Sequence, residues 1–306
     1  MSLVPASLVG RRSLADDVDL GRVGRYRSLR EVYEAIEAID GAELTIAARS
    51  HGELPIVRVE LGPRDAKEAT LIVGGLHAME WIGVETGLSL LSTLAAQALD
   101  RRIVAFPVAN PDGYLRAEDD LRATRRRFVR ANARGVDLNR NWPTHWKRFH
   151  LWPTLLPFLG GPGTHPGSEP EVAAVLSAIE ARRFDRGLSL HSFGNKLLLP
   201  FGGRWARPTN AAELDAIALD VKGRLWSRYD VTSSSRWVPG AFAHGMELDH
   251  WHAVGMVPLL VECSRGGFSW SDPSSWLQPF RWFNPSPPEP HVRELTSALV
   301  PFLLAS

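Results

Sequence analysis

The chain has 306 residues, 44% of them apolar, enough to bury a large core. Its 35 basic and 34 acidic side chains leave a formal charge of +1, which argues against a general role on nucleic acid or a membrane surface but leaves room for a local cationic pocket. The single cysteine, Cys263, excludes an internal disulfide and a thiolate zinc site, and it is compatible with a reducing compartment.

The opening "MSLVPASLVGRR" has a short, Pro-broken apolar part followed by its arginines, so it does not read as a secretion signal. No window has the length of a membrane span. The expectation is a cytoplasmic protein, with residues 1–25 as an N-terminal extension before one domain over 26–306. Residues 27–39 place Leu29, Val32, Ile36 and Ile39 at helical spacing. "LTIAARS" and "PIVRVEL" alternate as strands do, and "ATLIVGGL" reads as a strand buried on both faces. Residues 83–99 read as a helix and "RIVAFPVANP" as a strand ending in a turn. The stretch from about 110 to 168 reads as irregular. Residues 168–181 then predict a helix whose Ser168 and Glu171 have capping-box spacing. "RGLSLHSFG" and "VPLLVECS" read as buried strands, with helices over 210–226 and 291–304.

Strands that alternate with helices predict an α/β fold: a three-layer α/β/α sandwich with a mixed, largely parallel central sheet. Ligands in such folds bind beyond the carboxyl ends of the strands. His77, Asn110, His191 and Glu262 all fall at or near such ends.

His77 and Glu80 in "GGLHAMEW" could be two metal ligands on one turn, or a helix start with a capping acid. The bare spacing is weak evidence, because it recurs at His244 and Glu247. His191, at the end of an apolar strand, could complete a His₂Glu zinc set, or it could be a core histidine satisfied by backbone. Glu262 ends "VPLLVE" as a carboxylate that is costly to bury without a partner, either a base for zinc-bound water or half of an ion pair with Arg265. In "RRRFVRANARGVDLNRNWP" (125–143), Val136, Leu138 and Trp142 interleave with Asp137, Asn139 and Arg140, a pattern unlike a solvated face. An arginine fork with an adjacent Asn amide can hold a carboxylate, and a second arginine can stabilise an oxyanion.

"HAMEW", "NPDGY", "GVDLNRNWP", "SEPE", "LHS" and "LLVE", in this order, resemble zinc metallocarboxypeptidases of the carboxypeptidase A type over about residues 25–305. That family includes bacterial murein peptide amidase-like members. The resemblance implies one Zn²⁺ per chain on His77, Glu80 and His191, with Glu262 as general base. It implies that Asn139 and Arg140 hold a substrate's terminal carboxylate. It also implies a carbonyl-polarising arginine upstream, Arg130 by spacing, with Arg127 as the alternative. The substrate would be a short peptide, or an acyl-amino acid, with a free carboxylate; neither nucleic acid nor a membrane is an expected partner. The family's substrate-covering tyrosine has no counterpart near its usual place, the nearest upstream being Tyr229, so Phe242, Trp237 or His244 would fill that space. Asp249 or Glu247 could face the released residue's side chain and favour a basic or amino-bearing group, which admits peptidoglycan peptides ending in a diaminopimelate-type residue. His244, Glu247, Asp249, His250 and His252 form a rival metal cluster on paper. With only about 25 residues before the first helix, no long prodomain is expected. The alternative activities are an N-acyl amino-acid deacylase or amidase of the aspartoacylase-like type, and a non-catalytic module, which the presence of all four central residues disfavours.

Overall fold

The computed structural model describes residues 2–11, 26–149, 155–237, 242–267, 270–271 and 276–305. Residues 12–25 of the expected N-terminal extension lie outside them. Among the described residues, one eight-stranded sheet is built from β1 (Glu43–Arg49), β2 (Pro55–Leu61), β3 (Ala69–Gly74), β4 (Arg102–Phe106), β5 (Arg186–His191), β6 (Lys196–Leu199), β7 (Asp230–Ser233) and β8 (Val257–Glu262). The order is β1-β2-β4-β3-β5-β8-β6-β7. The central β4–β3–β5–β8 pairings and β6–β7 are parallel, and the remaining pairings are antiparallel. The expected mixed, largely parallel sheet is therefore present.

Every residue of β3 and β5 is buried, which is why β3 reads as a continuous apolar run. Alternate residues point to opposite faces. Ile72 joins a core with α1 (Leu29–Glu37), α2 (Trp81–Ala95), α5 (Ala211–Arg224) and α9 (Glu289–Leu304). Leu71 and Val73 join a second core with Trp142, α4 (Pro170–Ala181) and Trp251 of α7 (Glu247–Ala253). Close approach on both faces depends on glycine: a Cβ on Gly83 would sit 2.8 Å from the Leu190 carbonyl oxygen, and one on Gly187 would sit 2.5 Å from the Trp251 ring.

Two sequence expectations need correction. The segment from about 110 to 168 is not irregular throughout: α3 (Pro111–Arg122) opens it with Asn110 as N-cap, its side chain accepting from Gly113 N at 2.9 Å. The Ser168–Glu171 capping box does not form. Glu169 is the N-cap of α4, Ser168 donates to its side chain, and the Glu171 carboxylate turns to Asn132. A capping box does form on α1, between Ser28 and Glu31. No described helix is long and apolar enough to cross a membrane.

Candidate active site

Because β3, β5 and β8 are parallel neighbours, their carboxyl ends open on one edge of the sheet. The turn after β3 carries His77 and Glu80, while His191 and Glu262 end β5 and β8 as register partners. His77 Nδ1 lies 2.9 Å from Glu80 Oε1, His191 Nδ1 lies 2.9 Å from Glu80 Oε2, and the two Nδ1 atoms are 3.0 Å apart. Glu80 is the N-cap residue of α2 but makes no side-chain cap, so the capping-acid reading does not hold. Its place is taken by Asn284, whose Oδ1 accepts from Ile82 N at 3.0 Å while Nδ2 donates to Met79 O at 2.7 Å and Phe280 O at 2.8 Å.

The far nitrogens of the two imidazoles face carboxylates. His77 Nε2 is 3.1 Å from Asp137 Oδ1, and His191 Nε2 is 2.9 Å from Glu247 Oε1. An ionised carboxylate only accepts, so each Nε2 carries a proton and each Nδ1 turns toward Glu80. Two ring nitrogens and a carboxylate thus converge on one point. This donor set fits zinc: bonds of 2.0–2.2 Å imply tetrahedral edges of about 3.4 Å, within about half an ångström of the spacing here. Although burial opposes it, Glu80 and Glu247 raise the His191 imidazole to about 10, so a proton competes with a cation for that point. Burial likewise opposes ionisation of Glu80, but His77 and His191 hold its carboxyl low.

Glu262 is 6% exposed, and its Oε2 has no hydrogen-bond partner. Burial, then the charge of Glu80, push its carboxyl up to about 8. Arg265 is exposed, and no ion pair joins it to Glu262 among the described residues. Arg130 donates from Nε to Asp137 Oδ2 at 2.9 Å, with Nη1 3.6 Å from Glu80 Oε1. Burial alone would raise Asp137, yet Arg130, Arg140 and His77 hold it well below the usual carboxylate range.

His77, Glu80, His191, Glu262, Arg130, Asn139 and Arg140 all line one cavity of about 650 Å³. Its buried wall includes Leu198, Ala243, Met246 and Leu260, and its more exposed side carries Phe193, Trp237 and Phe242, with His244 also lining it.

Three expected site residues lie elsewhere. Arg127 does not line the cavity; its Nε donates to Asp120 Oδ2 at 2.8 Å, and the side chain is half exposed. Asp249 accepts from Gly202 N, Gly203 N and His145. Glu247 accepts from Asn139, Ser189 and His191. Neither acid lines the cavity. The rival cluster does not gather either: His250 meets Thr144 and His252 meets Asn210. Tyr229 is buried, its hydroxyl accepting from Ser264 N at 3.0 Å.

Sequence reasoning missed the partners of the imidazoles. Asp137 sits in a motif already singled out, but Glu247 meets His191 only through the packing of α7 on β5. A second convergent group, His51, Glu169 and Glu171, surrounds Asn132. Asn132 Oδ1 in turn accepts from Arg134 N and Val136 N, shaping the entry to the segment that carries Asp137, Asn139 and Arg140.

Residues 34–254 match the family model described as zinc carboxypeptidase. Carboxypeptidase A2 of Mus musculus is 25% identical over 226 residues, 64% of this chain and 51% of its own length. Carboxypeptidase A6 of Homo sapiens is 31% identical over 201 residues, 60% of this chain and 45% of its own. The chain spans about half the length of these relatives. Among solved structures, bovine thrombin-activatable fibrinolysis inhibitor superposes with a TM-score of 0.71 at 23% identity, covering 90% of this chain and 95% of that one. The murein-tripeptide amidase of Escherichia coli O157 gives 0.55 at 19% identity, covering 89% and 96%. At these identities the superpositions establish the fold.

Proposed function

Because the chain belongs to the zinc carboxypeptidase family, we propose that it hydrolyses the C-terminal amide bond of short peptides, with one zinc held by His77, Glu80 and His191. A zinc ion there would supply Lewis acidity toward water and the scissile carbonyl. Glu262 takes the proton of the attacking water and hands it to the leaving amine; burial raises its affinity for that proton, and the charge of a bound zinc would hold it ionised before the transfer. Arg130 faces the oxygen on which charge develops, held in place by Asp137. Arg140 grips the terminal carboxylate, and Asn139, with one amide hydrogen committed to Glu247, offers the other. The observation that carries this reading is the convergence of the three ligands, Glu262 and both arginines on one cavity.

The same cavity supports a substrate class. With Leu198, Ala243, Met246 and Leu260 on its buried wall and neither Asp249 nor Glu247 reaching it, the released residue is apolar rather than basic or diaminopimelate-like. Phe242, Trp237 and His244, which line the cavity, would take the part of the family's substrate-covering tyrosine. The test is release of free amino acids by the zinc-loaded protein from three panels: blocked dipeptides ending in Leu or Phe, others ending in Lys or diaminopimelate, and N-acyl amino acids. Chelator-sensitive release from the Leu and Phe substrates is expected. Turnover confined to acyl-amino acids would instead establish a deacylase, and turnover confined to diaminopimelate-ending peptides would establish the peptidoglycan reading.

A further inference from the structure

We infer that Glu247 is a positioning residue: it selects the nitrogen that His191 presents to the metal and ties that imidazole to the Asn139 amide. The inference rests on the zinc reading above. Glu247 is fully buried, and its only ion-pair partner among the described residues is His191. A carboxylate in that setting is costly unless hydrogen bonds compensate it. All of them fall on one oxygen. Oε1 lies 2.9 Å from His191 Nε2, 2.9 Å from Ser189 Oγ and 3.0 Å from Asn139 Nδ2, while Oε2 has no partner.

Ser189 and His191 are alternate residues of β5 and share a face, so Glu247, the first residue of α7, spans both from beneath. It also grips Asn139 from both ends, because its backbone N–H donates to Asn139 Oδ1 at 3.2 Å. The Asp137 carboxylate has a parallel job, joining His77 through Oδ1 to Arg130 through Oδ2. Each imidazole is therefore fixed by a carboxylate that also fixes a group expected to touch substrate. Loss of the charge at 247 would lower the basicity of His191 Nδ1 and weaken the preference for the Nε2–H tautomer.

The test compares the parent with Glu247→Gln, which keeps the shape and a carbonyl acceptor for Asn139 and Ser189. Zinc affinity is measured by competition with a chromophoric chelator, alongside the visible spectrum of the cobalt(II) form. A loss of about 10- to 100-fold in affinity is expected, with an altered cobalt spectrum. Asp249→Asn, in the same helix but bonded through its side chain, among the described residues, to Gly202, Gly203 and His145, controls for general damage: it should leave the affinity at the parent value. If Glu247→Gln does not fold, Glu247→Asp retains the charge one methylene short of His191 and should show the same weakening. A folded Glu247→Gln protein that binds zinc like the parent overturns the inference and leaves the zinc reading standing. A parent that binds no zinc overturns both.

Discussion

Glu171, from the "SEPE" motif, gives a stability prediction that does not depend on catalysis. Its carboxyl is fully buried in α4, and its side-chain hydrogen bonds to Asn132 Nδ2 are long, 3.4 Å to each oxygen. Burial raises it from 4.5 to about 7. At about 1.36 kcal/mol for each tenfold change in proton affinity, this corresponds to about 3 kcal/mol. The sign follows from which state holds the proton. The unfolded chain releases it near pH 4.5 and the folded chain near pH 7, so stability is greatest below 4.5, falls across that interval and then levels off. Glu169 beside it is lowered instead, so its contribution is complete above pH 4.5 and does not enter the window. Glu171→Gln keeps an acceptor for Asn132 but cannot ionise. Urea unfolding of both proteins at pH 5, 6, 7 and 8 should show the variant gaining about 2 to 3 kcal/mol on the parent between the ends of the series, the rest of the loss falling below pH 5. A difference that stays constant across the series would refute the reasoning.

Three further outcomes can be checked kinetically. Arg130→Ala should lower kcat by about 100- to 1000-fold on a Leu-ending dipeptide, whereas Arg127→Ala, which removes only the pair with Asp120, should leave kcat/KM unchanged; the reverse ranking would put Arg127 at the carbonyl. Glu262→Gln should reduce kcat by about 10²- to 10⁴-fold with zinc content and affinity retained, since the side chain is not one of the three converging donors; loss of metal would make it a ligand instead. Asp249→Asn should lower the thermal midpoint, because it weakens a carboxylate that caps two backbone N–H groups, yet leave the Leu-over-Lys preference intact; a shift of that preference toward Leu would restore Asp249 as a selectivity residue.

The residues that could be read from the sequence are those whose chemistry is local. The runs ending in His191 and Glu262 are apolar because both faces of β5 and β8 are covered, so strand, polar end and site edge follow from a few consecutive residues. α3 was obscured by its own start: Asn110, Pro111 and Gly113 have turn chemistry, but here they are a cap and a first helical turn. The choice between Arg130 and Arg127 depended on where Asp120 and Asp137 lie in space, since both arginines have an acid seven positions away in the chain. In the sequence Glu247 offers only its charge, which suits a substrate pocket as well as an imidazole partner; only the crossing of α7 beneath β5 turns it to His191, and no spacing rule encodes that crossing.

Asn284 carries a consequence for how such a chain comes into being. Glu80 is committed to the two imidazoles, so the amide that closes the first turn of α2 comes from a residue 202 positions further along. A nascent chain that has already emerged with His77, Glu80, His191 and Glu262 still lacks this clasp. Until residue 284 leaves the ribosome, the turn bearing His77 and Glu80 lacks the protein acceptor for Ile82 N–H and the donor for the Met79 carbonyl.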